Sequence, residues 1–534
     1  MRQLPHLGVV LGMHARTFPD KVAARDLERT VTFRAWHRRS CRLANALMGL
    51  GLSKGDRICV LAYNCIEWVE IYAATAVAGL IAVPINFRLV GAEIQYIVEN
   101  CEASAVIVQD QLLDSIESVR DNLPVSAENF VVFGSNRNHV GYLGYEDLIS
   151  AASDRTPAVN VTADDSWTLM YTSGTTGKPK GAIRSHGGSA MLSLVTDVEL
   201  GFSSRDTGML VMPMCHANSL FFFGAFVYCG AACTIYSRKS FDPEHLVRTL
   251  AEGGATFTSL VPTHYIMMLG LPSGIREKFN VSAVTKLMIS SAPARRDTKL
   301  EIMDYFKNSG LFELYGSTEA GWVTMLHPDE QFSKLGSVGR ECVGSRPIRL
   351  FDADGNDVRD GEAGELYSCN SYTFDGYWKL PEKTREAFRG DYCTVGDLAR
   401  RDEDGYIFLV DRKSNMIISG GENVYPSEVE ALVASHPKVK DVAVIGIADE
   451  KWGERVHAVI IPRDNASPTQ DEILDWCKDR IAGYKRPRSV SFILEEEMPR
   501  TATGKILHRV LRTQFTAPAE RNTSSARAPK GVNS

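Results

Sequence analysis

The chain has 534 residues, too many for one core of ordinary size, and at roughly 150 residues per domain it implies several domains or subdomains. Apolar residues at 44% and charged residues at 23% are globular proportions and exclude a disordered or fibrous chain. A formal net charge of −6 is too mild to steer nucleic acid or an anionic membrane, so neither is expected as a partner.

The first twenty residues carry no basic leader, long apolar run or small-residue cleavage site, so no secretion signal is expected. Between residues 30 and 110 helix and strand alternate. RAWHRRSCRLANALMGLGL has helical spacing and stops at Gly51, and DRICVLA is a short apolar strand. IEWVEIYAATAVAGL is helical again, AVPIN is extended, and a further helix leads to SAVIVQD. Strands separated by helices of this length predict right-handed βαβ units and a parallel sheet covered on both faces. The alternation resumes after Ala163 and runs to about Tyr315.

Residues 217–237 contain no charge and are long enough to span a bilayer, but they hold Asn218, Gly224, Gly230, two cysteines and Thr234. A buried helix running into a strand is the expected structure, and no transmembrane segment is predicted. The 11 cysteines are scattered through apolar segments; Cys229 and Cys233 have no second pair to complete a zinc spacing, so buried thiols of a cytoplasmic protein are expected. From about 337 to 409 the texture changes to short β segments (IRLF, ELYS, YIFLV) divided by Gly and Asp turns, which predicts antiparallel strands in a small barrel or distorted sheet. A fresh α/β pattern starts at Tyr425 with PSEVEALVASHP as helix, VKDVAVIGIAD as strand and DEILDWCKDRIAG as helix. The expected organisation is a large α/β unit over 1–411, a small α+β unit over 412–516, and a disordered Ser/Ala/Pro-rich tail over 517–534.

The most informative stretch is YTSGTTGKPKG at 171–181, which follows the apolar strand WTLM. Glycines let the backbone approach a ligand, while threonine hydroxyls and free N–H groups can cradle phosphate oxygens, with Lys178 and Lys180 adding positive charge. It is not a Walker loop, because Lys178 is followed by Pro179 and the spacing differs.

This stretch resembles the phosphate loop of the adenylate-forming superfamily, which holds acyl-CoA synthetases, adenylation domains and luciferases. Further motifs follow in the superfamily's order. Tyr315-Gly316-Ser317-Thr318-Glu319 looks like its second nucleotide motif, and Val395-Gly396-Asp397 is similar to its ribose-binding turn with Val for Thr. Asp411-Arg412-Lys413 resembles the hinge approach, with Ser414 aligned to the hinge residue; Gly420-Gly421-Glu422-Asn423 resembles the loop after the hinge, and PRTATGK at 499–505 the terminal lysine motif.

The resemblance implies an ATP-dependent ligase that joins a carboxylic acid to AMP, expels pyrophosphate, and passes the acyl group to coenzyme A as a mobile C-terminal domain rotates. Bringing two anions together makes charge neutralisation and positioning the main catalytic task. Thr172, Ser173, Gly174, Thr175, Thr176, Gly177, Lys178 and Lys180 are implied as the phosphate cradle, with Mg2+ on Thr175 and Glu319 and a Thr318 bond to the α-phosphate. Tyr315 would face adenine, with Gly316 and Ser317 beside it and Ser291, Ala292 and Pro293 along its edge; Asp397 would grip the ribose and Arg412 a ribose or phosphate oxygen. Lys505 is implied as the mobile cation of the first half-reaction, and Gly420, Gly421 and Glu422 as lining of the pantetheine path in the second. His216 matches a position beside the substrate carboxylate. A second copy of the chain is a candidate partner, as in many relatives.

By alignment the acid pocket should include Asn218, Phe222, Leu314 and Trp322. Acetate-using relatives place Trp where Gly316 stands, so a larger acid is expected, with a medium- or long-chain fatty acid foremost. The alternatives are an aryl or alicyclic acid, or delivery of the acyl group to a carrier protein. Leu314 and Trp322 are bulkier than the pocket of a simple hydroxycinnamate ligase.

Overall fold

The computed structural model describes residues 4–135, 139–172, 178–290, 294–419, 422–478, 480–501 and 504–516. They form two compact units, residues 1–409 and 410–534. The expected tail at 517–534 lies outside the described residues.

After an N-terminal helix (Leu7–Thr17) and two short strands, the larger unit shows the predicted alternation: α1 (Phe33–Gly49), β1 (Arg57–Leu61), α2 (Glu67–Ala78), β2 (Ile81–Ile85), α3 (Gly91–Asn100) and β3 (Ala103–Gln109). Thr32 caps α1 by accepting the Ala35 N–H, and α2 ends where Gly79 adopts a left-handed backbone. β1 pairs in parallel with both β2 and β3. The same eight-stranded sheet takes in β4 (Ser166–Thr172) and β5 (Lys180–Ser185), an antiparallel hairpin that places Thr168 opposite Arg184.

A nine-stranded sheet has at one edge two strands from early in the chain, Val22–Arg25 and Thr30–Thr32, and the rest follow α4 (His186–Leu200). Its strands include β6 (Thr207–Leu210), β7 (Ala232–Ile235), β8 (Phe257–Leu260), β9 (Lys286–Ser290) and β10 (Gly310–Ser317), all parallel to their neighbours. β11 (Gly321–Leu326) then returns antiparallel to β10. The charge-free segment forms α5 (Ala217–Cys229), a 13-residue helix that Gly230 ends in a left-handed turn before β7. Among the described residues no helix is long and apolar enough to cross a membrane.

α2 is buried along its whole length, as befits a helix without a polar face. Trp167 Nε1 donates to the Tyr72 carbonyl at 3.1 Å, and the Tyr72 hydroxyl donates to the Met214 carbonyl at 2.8 Å, so this helix ties one sheet to the other. Phe223 of α5 packs on Trp36 and Tyr72, extending a single core through α1, α2 and α5. The region of short strands forms an antiparallel sheet around β12 (Arg346–Phe351), β13 (Gly364–Cys369) and β14 (Asp397–Arg401).

The smaller unit has β15 (Ile417–Ser419) and β16 (Glu422–Val424) as a hairpin, then α6 (Pro426–Ala434). A long hairpin of β17 (Val439–Asp449) and β18 (Gly453–Pro462) follows. α7 (Gln470–Cys477), β19 (Ser489–Phe492) and α8 (His508–Thr516) complete it. The predicted helix over DEILDWCKDRIAG is shorter than its apolar spacing implies. Lys478 turns extended (φ −68°, ψ 135°), and the Arg480 guanidinium bonds the Trp476 carbonyl freed by that turn.

Candidate functional site

The site residues of the larger unit gather at the carboxyl ends of β8, β9 and β10 and at the β4–β5 hairpin, where a parallel sheet leaves a crevice for ligands. Glu319, in the short link from β10 to β11, is 7% exposed. Its Oε1 accepts two hydroxyls, Thr172 Oγ1 and Tyr377 OH, each at 3.0 Å. Thr172 is the last residue of β4, so the start of the glycine-rich loop and the acidic residue meet directly. Lys180, the first residue of β5, sets its ammonium 4.0 Å over the Tyr377 ring. Burial pushes the Lys180 pKa down, opposed by the charge of Glu319. Lys178 lies 5.2 Å over Tyr96. Ser173, Gly174, Thr175, Thr176 and Gly177 lie outside the described residues, as do Ser291, Ala292 and Pro293.

The Glu319 turn is built by close backbone packing. A Cβ on Gly316 would stand 2.3 Å from the Gly321 carbonyl oxygen, at a register shift between β10 and β11. Gly321 has φ +71°, and a Cβ there would meet the Tyr372 ring. As this chain builds the turn, a side chain at 316 would displace the backbone at Gly321. Ser317 Oγ accepts the Ala320 N–H at 2.9 Å, which makes it a brace of the turn.

Arg184 supports the turn from below. It is 1% exposed, and its Nη1 donates to the carbonyls of Thr318 at 3.2 Å and Glu319 at 3.3 Å. Its guanidinium sits 5.0 Å over the Phe221 ring, and burial pushes its pKa down to about 10 against the charges of Asp375 and Glu319. The Tyr315 hydroxyl donates to Asp397 Oδ2 at 2.6 Å, joining the expected adenine and ribose residues.

The four expected acid-pocket residues are all buried. Asn218 Nδ2 donates to Ser259 Oγ at 3.1 Å and Ser290 Oγ at 2.9 Å, at the ends of β8 and β9. Phe222 packs on Phe257 and Trp322, Trp322 meets Phe221 edge-on, and Leu314 belongs to the same core. Trp322 Nε1 donates to Thr196 Oγ1 at 2.8 Å, which fixes the indole. His216 caps α5, its Nδ1 accepting the Asn218 N–H at 3.4 Å, and burial pushes its pKa down to about 4. It is a neutral imidazole at the N-terminus of the helix that carries Phe221 and Phe222.

In the smaller unit, Asp411 accepts the N–H groups of Arg412 at 2.6 Å and Ser427 at 2.8 Å, which fixes the chain around Arg412. Ser414 lies in the turn that follows, and Glu422 is exposed in β16; Gly420 and Gly421 lie outside the described residues. Lys505 is exposed at the end of a tight loop. Its N–H donates to Thr501 Oγ1 at 3.1 Å, its carbonyl accepts the Thr501 N–H at 2.8 Å, and Gly504 takes φ +81°. Arg500, paired with Asp441, bonds the Gly504 carbonyl and steadies the loop base.

Tyr377, Arg184 and Thr196 were not foreseen. A charged residue in the apolar alternation KGAIRS was the available signal for Arg184, and the aromatic pair after Gly376 was the signal for Tyr377. Thr196 lies on a helix without any motif.

Two α/β sheets sharing one core, an antiparallel sheet and a separate small unit with a long β-hairpin make up the fold of the adenylate-forming enzymes. The chain belongs to the AMP-binding enzyme family, whose profile matches residues 11–378, with the AMP-binding enzyme C-terminal domain over 428–505. It is 34% identical over 510 residues to a feruloyl-CoA synthase of Amycolatopsis sp, covering 94% of this chain and 97% of that protein. It is 33% identical over 483 residues to the long-chain-fatty-acid–CoA ligase FadD13 of Mycobacterium tuberculosis, covering 89% and 91%. The crystal structure of the anthranilate CoA ligase AuaEII with anthranoyl-AMP superposes with a TM-score of 0.85 at 28% identity, covering 97% of this chain and 98% of that one. The protein is an AMP-forming acid–CoA ligase whose substrates are a carboxylic acid, ATP and CoA.

Proposed function

We propose that the acid is an aryl acid with a compact planar body. The observation that carries this is the indole of Trp322, held by Thr196 and packed on Phe221 and Phe222. Swinging it aside breaks a buried hydrogen bond and an aromatic cluster, at a cost of about 1–3 kcal/mol for the bond alone. A ring acid ends against such a wall, whereas a long acyl chain needs a path past it. The similarity to a feruloyl-CoA synthase and to an anthranilate ligase supports this reading. The similarity to a fatty-acid ligase keeps fatty acids in the test.

In this scheme the neutral His216 and the Asn218 end of α5 flank the acid's carboxylate. Tyr315 and Asp397 orient adenine and ribose, and the Thr172 hydroxyl and Lys180 face the phosphates. Glu319, with the hydroxyl of Thr175, would hold Mg2+. The buried Glu319 carboxylate is a hard-oxygen donor that fits the ion, and Mg2+ there would neutralise phosphate charge. Lys505 supplies the cation for adenylate formation, while Arg412 and the 420–422 loop serve nucleotide binding and thioester formation. The test is a mass-spectrometric assay with ATP, Mg2+, CoA and a panel of C2–C18 fatty acids, benzoates, cinnamates and cyclohexane carboxylates. AMP with aryl-CoA products is expected. Turnover confined to C12–C18 acids overturns the assignment, and acyl-adenylate without thioester points to a carrier-protein ligase.

A further inference from the structure

We propose that Arg184 is a positioning residue for the adenylation step, holding from inside the core the backbone turn that carries Thr318 and Glu319. The inference rests on the reading that this turn serves the phosphates and their metal ion.

The arginine is otherwise hard to explain. It lies near the end of β5, opposite Thr168, where an aliphatic residue would pack without taking a charge out of water. Among the described residues Nε and Nη2 find no hydrogen-bond partner, so the group does not complete a saturated network there. What it does complete is the turn. Its Nη1 is shared between two successive carbonyls, Thr318 O and Glu319 O, and the second of these also accepts the Phe374 N–H at 2.7 Å. Both carbonyls belong to the sharp link between β10 and β11, outside the ladder hydrogen bonds of either strand.

Phe221 lies under the face of the guanidinium and the two carbonyls hold its Nη1, which limits its movement. A rotation of the turn would carry the Glu319 carboxylate away from the Thr172 and Tyr377 hydroxyls that aim it. A charged donor bridging two carbonyls therefore converts core rigidity into the position of a carboxylate at the surface of the crevice. A lysine at this site has a point charge on a flexible stem and lacks the fixed planar fork, so it is a partial substitute.

The experiment uses the full chain and three variants, Arg184→Met, Arg184→Lys and Glu319→Gln. Each is assayed separately for adenylate formation across a Mg2+ titration, for thioester formation from supplied acyl-adenylate, and for Tm. For Arg184→Met we expect adenylate formation to fall about 10- to 100-fold, the loss of one charge-assisted hydrogen bond. Half-maximal rate should require more Mg2+, thioester formation should persist, and Arg184→Lys should fall between. Adenylation at the parent rate in Arg184→Met, with Glu319→Gln defective, overturns the inference alone. Equal loss of both half-reactions with a lowered Tm also overturns it, by assigning Arg184 to the fold only. Normal adenylation by Glu319→Gln overturns the reading of the turn, and the inference with it.

Discussion

Tyr377→Phe removes one atom and tests how the acidic residue is aimed. Glu319 is almost wholly buried, and its Oε1 accepts the hydroxyls of Thr172 and Tyr377 at the same distance, 3.0 Å. Removing one hydroxyl leaves a buried carboxylate with half of these donors, and a hydrogen bond to a charged group is worth about 1.5–3 kcal/mol. If that energy fixes the orientation used in adenylation, kcat/KM for ATP should fall about 10- to 100-fold. The phenyl ring remains, so the Lys180 contact over its face, 4.0 Å from the centroid, is kept. Tyr377→Leu removes that contact as well and should cost a further factor, which separates the two roles of the side chain. ATP–pyrophosphate exchange reports the step directly. Because Thr172 and Tyr377 share one acceptor, the double variant with Thr172→Val should depart from additivity. Exchange at the parent rate in Tyr377→Phe, or strictly additive losses in the cycle, would refute the argument that the two hydroxyls act as one aiming device.

Lys505→Ala should abolish adenylate formation yet leave thioester formation from supplied acyl-adenylate largely intact; equal loss of both half-reactions removes its assigned role. Tyr315→Phe deletes the 2.6 Å bond to Asp397 and should raise the KM for ATP about tenfold without moving that for the acid, read from initial rates against each substrate. His508 carries a pH signature in the smaller unit. Burial pushes its pKa down, but the 2.6 Å contact with Glu430 and the Asp411 charge outweigh this and hold it above 6.5. A raised native value means the stabilisation is complete below pH 6.5 and is lost as pH rises through that native value. Urea unfolding of the parent should therefore weaken over that interval, and His508→Gln should flatten the slope; identical slopes would exclude the pair as its source.

The parts of the fold that were legible in the sequence are those where local pattern and tertiary role coincide. The alternation over 30–110 became α1 to β3 because each strand is mostly apolar and buried, and α2 ends at Gly79 in a left-handed turn. The charge-free segment was readable as α5 followed by β7, since Gly230 stops the helix after 13 residues. The motifs named Glu319, Asp397 and Tyr315 but not what holds them. Tyr377 and Arg184 act through hydrogen bonds between distant parts of the chain, at separations of 58 residues for Tyr377 and 134 and 135 for Arg184, and no periodicity records such bonds. The DEILDWCKDRIAG helix was overextended for a related reason: apolar spacing continues past Cys477, while the chain turns there.

Gly316 shows how the same residue can mislead about the substrate. As a letter in a motif it reads as an open pocket, the place where a bulky side chain is missing. In the fold its missing side chain is dictated by the Gly321 carbonyl, 2.3 Å from where a Cβ would stand. As this chain builds the turn, position 316 has no room for a side chain, so here pocket depth is set by residues that are free to vary. Trp322 is one, because its size is not demanded by the backbone and its indole is fixed by a side chain, Thr196, on another element. Trp322→Ala should accordingly lengthen the acids accepted, whereas Gly316→Ala should impair adenylation of every acid alike. A panel assay in which Gly316→Ala merely shifts preference toward smaller acids would return the control of substrate size to the motif.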